Sequence, residues 1–130
     1  MDFTKLELPG APFVDHSVWV YYDGPKMFSL RSVDEDLFYI VNAVDEDDVD
    51  GSWMSFLAAP QGRARFELLD WGRVDFRDGF TDTADGYAYL ITWTWVDEAW
   101  SPAIKPLFAS ELTDDMLPMP GARLGRNKAV

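Results

Sequence analysis

The sequence predicts an α+β fold: an antiparallel β-meander of about five strands, one main helix packed on a face, and a short C-terminal helix. Short β-branched and aromatic runs alternate with turn-forming clusters as far as residue 58. The apolar spacing then changes to the i, i+4, i+7 pattern of a helix over residues 60–72. A last alternating run, Tyr87 to Val96, returns to the period of a strand.

Each element has a local reason. Pro9-Gly10-Ala11-Pro12 is a breaker cluster that stops any long regular element in residues 1–16. Ser17 to Tyr22 is β-branched and aromatic and reads as a strand. Asp23-Gly24-Pro25-Lys26 is turn chemistry. Met27 to Ser32 then sets Phe28 and Leu30 against Ser29 and Arg31, which completes a hairpin. After the turn Val33-Asp34-Glu35-Asp36, Leu37 to Val44 is apolar on both faces, the pattern of a central strand covered on each side. Asp45 to Gly51 is an acidic loop, and Trp53 to Ala58 reads as a fourth strand.

Pro60 suits a first helical turn and Gly72 a helix end. Between them Ala64, Leu68 and Trp71 form the expected buried stripe, widened by Phe66 and Leu69. Residues 75–80 add a further turn of helix before the polar loop Thr81 to Gly86. In Tyr87 to Val96, Tyr89, Ile91, Trp93 and Trp95 share one face, and Leu90, Thr92, Thr94 and Val96 the other. Pro102 and Pro106 confine any strand in 97–108 to a short stretch or an edge. Ala109 to Leu117 reads as a short helix with Ser110 as its cap, ended by Pro118 and Pro120.

Composition bounds the function. At 130 residues the chain is near the modal domain size, so residues 1–120 read as one domain and 121–130 as a basic, frayed tail. Six Trp, nine Phe and five Tyr supply a core, while there is one His and no Cys. Disulfides, thiolate metal sites and cysteine nucleophiles are thereby excluded. Met1 to Glu7 shows neither a basic leader nor an apolar stretch, and no apolar run approaches the roughly 20 residues of a membrane span. The expectation is a soluble cytoplasmic protein. A net charge of −12 repels phosphate backbones, so direct nucleic-acid binding is not expected and a partner with a basic surface is. The last ten residues carry Arg123, Arg126 and Lys128 and no acid.

The candidate motifs weigh mostly toward structure. Aligning Gly51 with the glycine of a calcium-binding EF-hand loop places Leu57 where the bidentate acid belongs, so Asp45-Glu46-Asp47-Asp48-Val49-Asp50 reads as a solvated acidic loop. His16, beside Asp15, is a general-base candidate with no assignable partner and reads as a structural or surface histidine. Asp75 and Asp78 suggest turn capping and an ion pair with Arg73 or Arg77 more than acid–base work. Arg63 and Arg65 diverge by about 200° on a helix, so internal pairing is expected of the Arg63, Arg65, Arg73, Arg77 group. Phosphate-binding glycine loops are absent from the sequence.

Tyr22-Asp23-Gly24-Pro25 followed by Phe28, then Val74-Asp75-Phe76-Arg77-Asp78-Gly79-Phe80 and Leu117-Pro118-Met119-Pro120-Gly121, resemble a small bacterial family known only as a domain of unknown function. The resemblance spans residues 17–124 and implies an α+β fold, with no functional residues to carry over. The acidic 45–51 loop and the basic tail depart from the family's pattern.

The expected function is therefore an acidic protein–protein interaction module, such as an antitoxin, immunity or regulatory partner in bacterial conflict or phage defence. No residue is assigned a catalytic, cofactor or metal role. The candidate partner-binding residues are the aromatics Trp93, Trp95, Trp100 and Phe108 and the acids Asp45, Asp47, Asp48 and Asp50. One alternative is a nucleic-acid-mimicking inhibitor, which needs the Asp34–Asp36 and Asp45–Asp50 clusters on one face. The other is a carboxylate-dependent enzyme, which needs a pocket of convergent acids.

Overall fold

Strands form where β-branched and aromatic runs lie between turn-forming clusters, and in this chain each pairs with its neighbour in sequence. The computed structural model describes residues 1–21 and 25–121. It contains β1 (Phe13–Tyr21), β2 (Pro25–Ser32), β3 (Leu37–Glu46), β4 (Trp53–Gly62), β5 (Tyr87–Val96) and β6 (Ala99–Phe108). They make one antiparallel sheet in the order β1-β2-β3-β4-β5-β6. Helices α1 (Arg63–Asp70) and α2 (Asp78–Thr81) fill the β4–β5 connection. Single 3-10 turns lie at Phe3–Lys5, Ala109–Glu111 and Asp114–Met116. The fold is α+β with six strands, one more than expected.

The double-sided apolar run of β3 explains how the layers are arranged. Phe38, Tyr39, Ile40 and Val41 are all buried, alternating between two cores. On one face Phe38, Ile40, Leu57, Ala59 and Ala88 pack beneath Phe66 and Leu69 of α1 and Phe76 and Phe80 around α2. The Phe66 ring stacks on Phe38 at 4.3 Å. On the other face Phe28, Tyr39, Phe56, Tyr89, Ile91 and Trp93 are covered by the N-terminal segment through Leu6, Leu8 and Phe13. Phe3 lies edge-on to Phe28, Phe56 and Trp93 at 4.9–5.3 Å, the preferred aromatic geometry. The breaker cluster lets this segment turn back over the sheet, where the Tyr39 hydroxyl donates to the Pro9 carbonyl at 2.8 Å.

Several boundaries differ from the sequence reading, each for a local reason. Strand β1 starts at Phe13, four residues before the expected start, and carries register shifts around His16 and near Val20. Pro60 lies in β4 opposite Tyr39, not in a helix. The β4–β5 pairing ends at Ala58, so the Pro60 nitrogen faces a side with no ladder bond to lose, and its carbonyl accepts from Ala84 N–H at 2.9 Å.

The expected buried stripe of α1 faces outward, with Leu68 42% and Trp71 50% exposed. The buried positions are Phe66, Leu69 and Asp70. Both sets have helical spacing, and Asp70 hid the inner face because a buried acid is rare; here it accepts from Trp19 Nε1–H at 2.9 Å. In place of a C-terminal helix, two 3-10 turns flank an extended Thr113, and the Phe108 N–H, not a Ser110 cap, is bonded by the Glu111 carboxylate at 2.9 Å. The Tyr22-Asp23-Gly24 part of the first turn and the tail from residue 122 lie outside the described residues.

The two helix-side motifs behind the family resemblance meet in space. Asp75 Oδ1 accepts from Arg77 N–H at 3.0 Å, and Asp75 Oδ2 accepts from Gly121 N–H at 2.6 Å. Arg77 donates to the Pro118 carbonyl at 3.0 Å and pairs with Asp114. These residues thus clasp the C-terminal segment onto the helical layer. Asp75→Ala removes both main-chain bonds and is expected to cost about 1–3 kcal/mol in denaturant unfolding. Gly79 shows why Gly is needed between Asp78 and Phe80: an added Cβ would meet Ile40 Cδ1 and lie 3.0 Å from Leu69 Cδ1. Its carbonyl also accepts from the buried Gln61 amide. Gly79→Ala is expected to lose about 1–3 kcal/mol by overpacking, measured the same way.

Candidate interaction surface

An up-and-down meander gathers alternate connections at the same end of the sheet. The β3–β4 loop and the β5–β6 turn therefore share one end, and Trp95 N–H donates to the Ser52 carbonyl at 2.7 Å to join them. The β5–β6 connection is only Asp97-Glu98, with φ of 50° and 64°. Two successive left-handed residues make the type I′ turn that suits the twist of a hairpin. On the face away from the helices, Trp95 lies opposite Trp100 with ring centroids 5.4 Å apart. Trp95 is 47% exposed, and Val96 beside the turn is exposed as well.

In the acidic loop, the acids have different roles. Asp45 and Glu46 finish β3, paired with Ser55 and Met54. Asp47 is a loop organiser: Oδ1 accepts from Val49 and Asp50 N–H, and Oδ2 from the Ser52 N–H and hydroxyl. These bonds, the Ser52 hydroxyl foremost, pull its pKa down to about 2. Asp48 and Asp50 stay exposed on either side of Val49, which is 89% exposed at the loop tip. The end of the sheet thus carries exposed carboxylates at Asp48, Asp50, Asp97 and Glu98 around exposed Val49, Val96 and Trp95.

The candidate residues from the sequence divide accordingly. Trp95, Trp100, Asp45, Asp47, Asp48 and Asp50 come together at this end. Trp93 is core, 3% exposed and covered by Phe3 although it faces away from the helices. Phe108 lies at the opposite end of β6, packed at 4.7 Å on Tyr87. Asp97 suits the first position of such a turn, but Glu98 replaces the Gly that usually follows it, which hides the turn in the sequence. The available signal was the two-residue gap between Val96 and Ala99.

Other candidate groups are engaged elsewhere. Asp34–Asp36 sit at the far end of β3, about 30 Å from the Asp45–Asp50 loop at ~3.3 Å per residue, so the single acidic face required for nucleic-acid mimicry does not form. Arg63, Arg65 and Arg77 pair with Asp36, Asp82 and Asp114. His16 is exposed, edge-on to Phe38 and Phe66 at 5.3 and 5.4 Å, in a hollow shared with Arg31, Arg63, Glu67 and Asp70. Among the described residues no three His, Asp or Glu side chains form a metal-binding group. A hollow of about 390 Å³ beside Phe3 has an apolar floor of Val18, Phe28, Met54 and Phe56. Its polar lining mixes Lys26 with Asp2 and Asp15, and Asp2 is already bonded to Thr4. No helix among the described residues is long and apolar enough to cross a membrane.

The Asp47 bonding has a pH signature. Its folded pKa lies below the ordinary 3.8, so it stabilises the loop above about pH 4 and loses that contribution as pH falls through about 2. An NMR titration of the Asp47 carboxyl carbon should show a midpoint near 2; a midpoint near 4 would contradict the bonding described.

Neither a curated protein nor a solved structure matches the chain. A family model matches residues 16–128, nearly all of the sheet and the clasp of Asp75 and Arg77, and the chain belongs to that family, the family of unknown function DUF6575.

Proposed function

We propose that this protein is an acidic protein–protein interaction module, of the kind that acts as an antitoxin, immunity or regulatory partner in bacterial conflict or phage defence. It takes a partner with a basic surface, in the cytoplasm, through the acidic end of its sheet. One observation carries the reading: Asp97 and Glu98 both hold left-handed φ beside the half-exposed Trp95. A side chain bearing Cβ costs about 1 kcal/mol in that conformation, which glycine avoids. Asp97 is at home in that conformation, but Glu98 stands where the turn favours Gly; an acid retained there at that cost, next to Asp97, Asp48 and Asp50 and an exposed indole, fits a surface kept for a cationic partner. Aromatic rings supply contact area at low entropic cost, and the carboxylates steer association. The chain's −12 charge extends that steering beyond the contact itself.

The test is capture of partners from the source organism by the immobilised protein and by Glu98→Gly and Trp95→Ala. A specific basic partner should be recovered by the parent and its recovery should fall about tenfold in each variant. Glu98→Gly should at the same time be more stable by about 0.5–1 kcal/mol, which separates lost binding from lost folding. Recovery of no specific partner, or of one indifferent to both substitutions, would overturn the reading.

A further inference from the structure

Strand β6 is an edge with unusual main-chain chemistry. Val96 and Ala99 close the two-residue turn and exchange hydrogen bonds, so the alternation of an antiparallel ladder turns the main-chain groups of Trp100, Pro102, Ile104, Pro106 and Phe108 away from β5. The prolines are accommodated for this reason, since their missing N–H would have pointed outward. The Phe108 N–H is already taken by Glu111 Oε1 at 2.9 Å. With the Phe108 carbonyl capping the Ala109–Glu111 turn, the outward edge presents four free carbonyls, those of Trp100, Pro102, Ile104 and Pro106, against two free amide donors, those of Trp100 and Ile104. Trp100 and Ile104 pack against the core that Leu6 and Leu8 close, while Ser101, Pro102, Ala103, Lys105 and Pro106 are all exposed, so the outward edge of the strand stays open. Its one cation, Lys105, lies opposite Leu90 on the helix-side face.

Such an edge is a poor template for strand addition, which requires a donor beside each acceptor. It suits a ligand that brings donors only. A guanidinium carries five N–H donors and no acceptor. Outward carbonyls on a strand recur at about 6.6–6.8 Å, the same repeat at which an extended chain presents every second side chain. We infer that the free edge of β6 is a docking line for an extended segment of the partner with arginine at alternate positions. The inference rests on the reading of the acidic end as the partner surface. There Asp97 and Glu98 supply countercharge at the start of the strand, and the Trp95 and Trp100 rings offer faces to the first guanidinium.

The experiment is an amide NMR titration of the whole protein with two synthetic decapeptides, one alternating Arg and Ser and one with five Arg followed by five Ser. The alternating peptide should bind about fivefold tighter, with shifts concentrated in residues 99–108. Equal affinities, or shifts centred on the Asp34–Asp36 turn, would overturn the inference. Replacing Pro102 and Pro106 together by Val restores two outward N–H groups without changing net charge. That variant should lose the preference for the alternating peptide, and keeping it would equally overturn the inference. Partner capture that depends on Trp95 and Glu98, with the two peptides indistinguishable, would sink the docking line alone. The converse result would sink the partner reading and leave the edge preference standing.

Discussion

The fold depends on a central strand that is apolar on both sides. Phe38 and Ile40 need a cover on one face, Tyr39 and Val41 on the other, and a sheet with both faces buried requires two outer layers. The α1 and α2 region provides one. The other is an irregular N-terminal segment, which satisfies its own carbonyls by taking hydrogen bonds from the sheet. Pro9 accepts from Tyr39, and Gly10 accepts from the Ser32 hydroxyl at 2.6 Å. This second layer makes Trp93 a core residue.

The layered arrangement also determines what is left for recognition. The aromatic residues are largely consumed by the two cores, and among the described residues those left exposed lie where an element stops: Trp95 at the end of β5, Trp71 just after α1 and Phe108 at the end of β6. Much of the acid is similarly committed to local work. Asp47 shapes its loop, Asp75 ties down the C-terminal segment, and Asp85 accepts from the Tyr89 hydroxyl and the Tyr87 N–H. Asp48, Asp50, Asp97 and Glu98 differ in that their charge is exposed beside exposed apolar groups.

The strands were legible in the sequence because alternation and β-branched composition mark them directly, and Leu37 to Val44 revealed a central position by being apolar throughout. Helical orientation was less legible: two stripes in α1 satisfy the same spacing, and only the strand that feeds the helix decides which one turns inward. Prolines misled in opposite ways. Pro60 suggests a helix start, yet it sits in β4 because the pairing to β5 has already ended at Ala58, whereas Pro102 and Pro106 mark an edge but conceal a ten-residue strand. The candidate surface was half legible. Its tryptophans and acidic loop stand out in the sequence, but their proximity follows from the parity of the meander, and Asp97-Glu98 lacks the glycine that announces a tight hairpin.

The clasp formed by Asp75 and Arg77 has a consequence for the order of events during synthesis. Its acceptors and donors at Asp114, Pro118 and Gly121 emerge about forty residues later than the side chains that hold them. On a ribosome, the helical layer can gather over β3 and β4 early, but it is locked only when the last described residues have left the exit tunnel. Truncation short of that point would leave a sheet with one loosely held side, exposing Phe76 and Phe80 to quality-control machinery before the chain is complete.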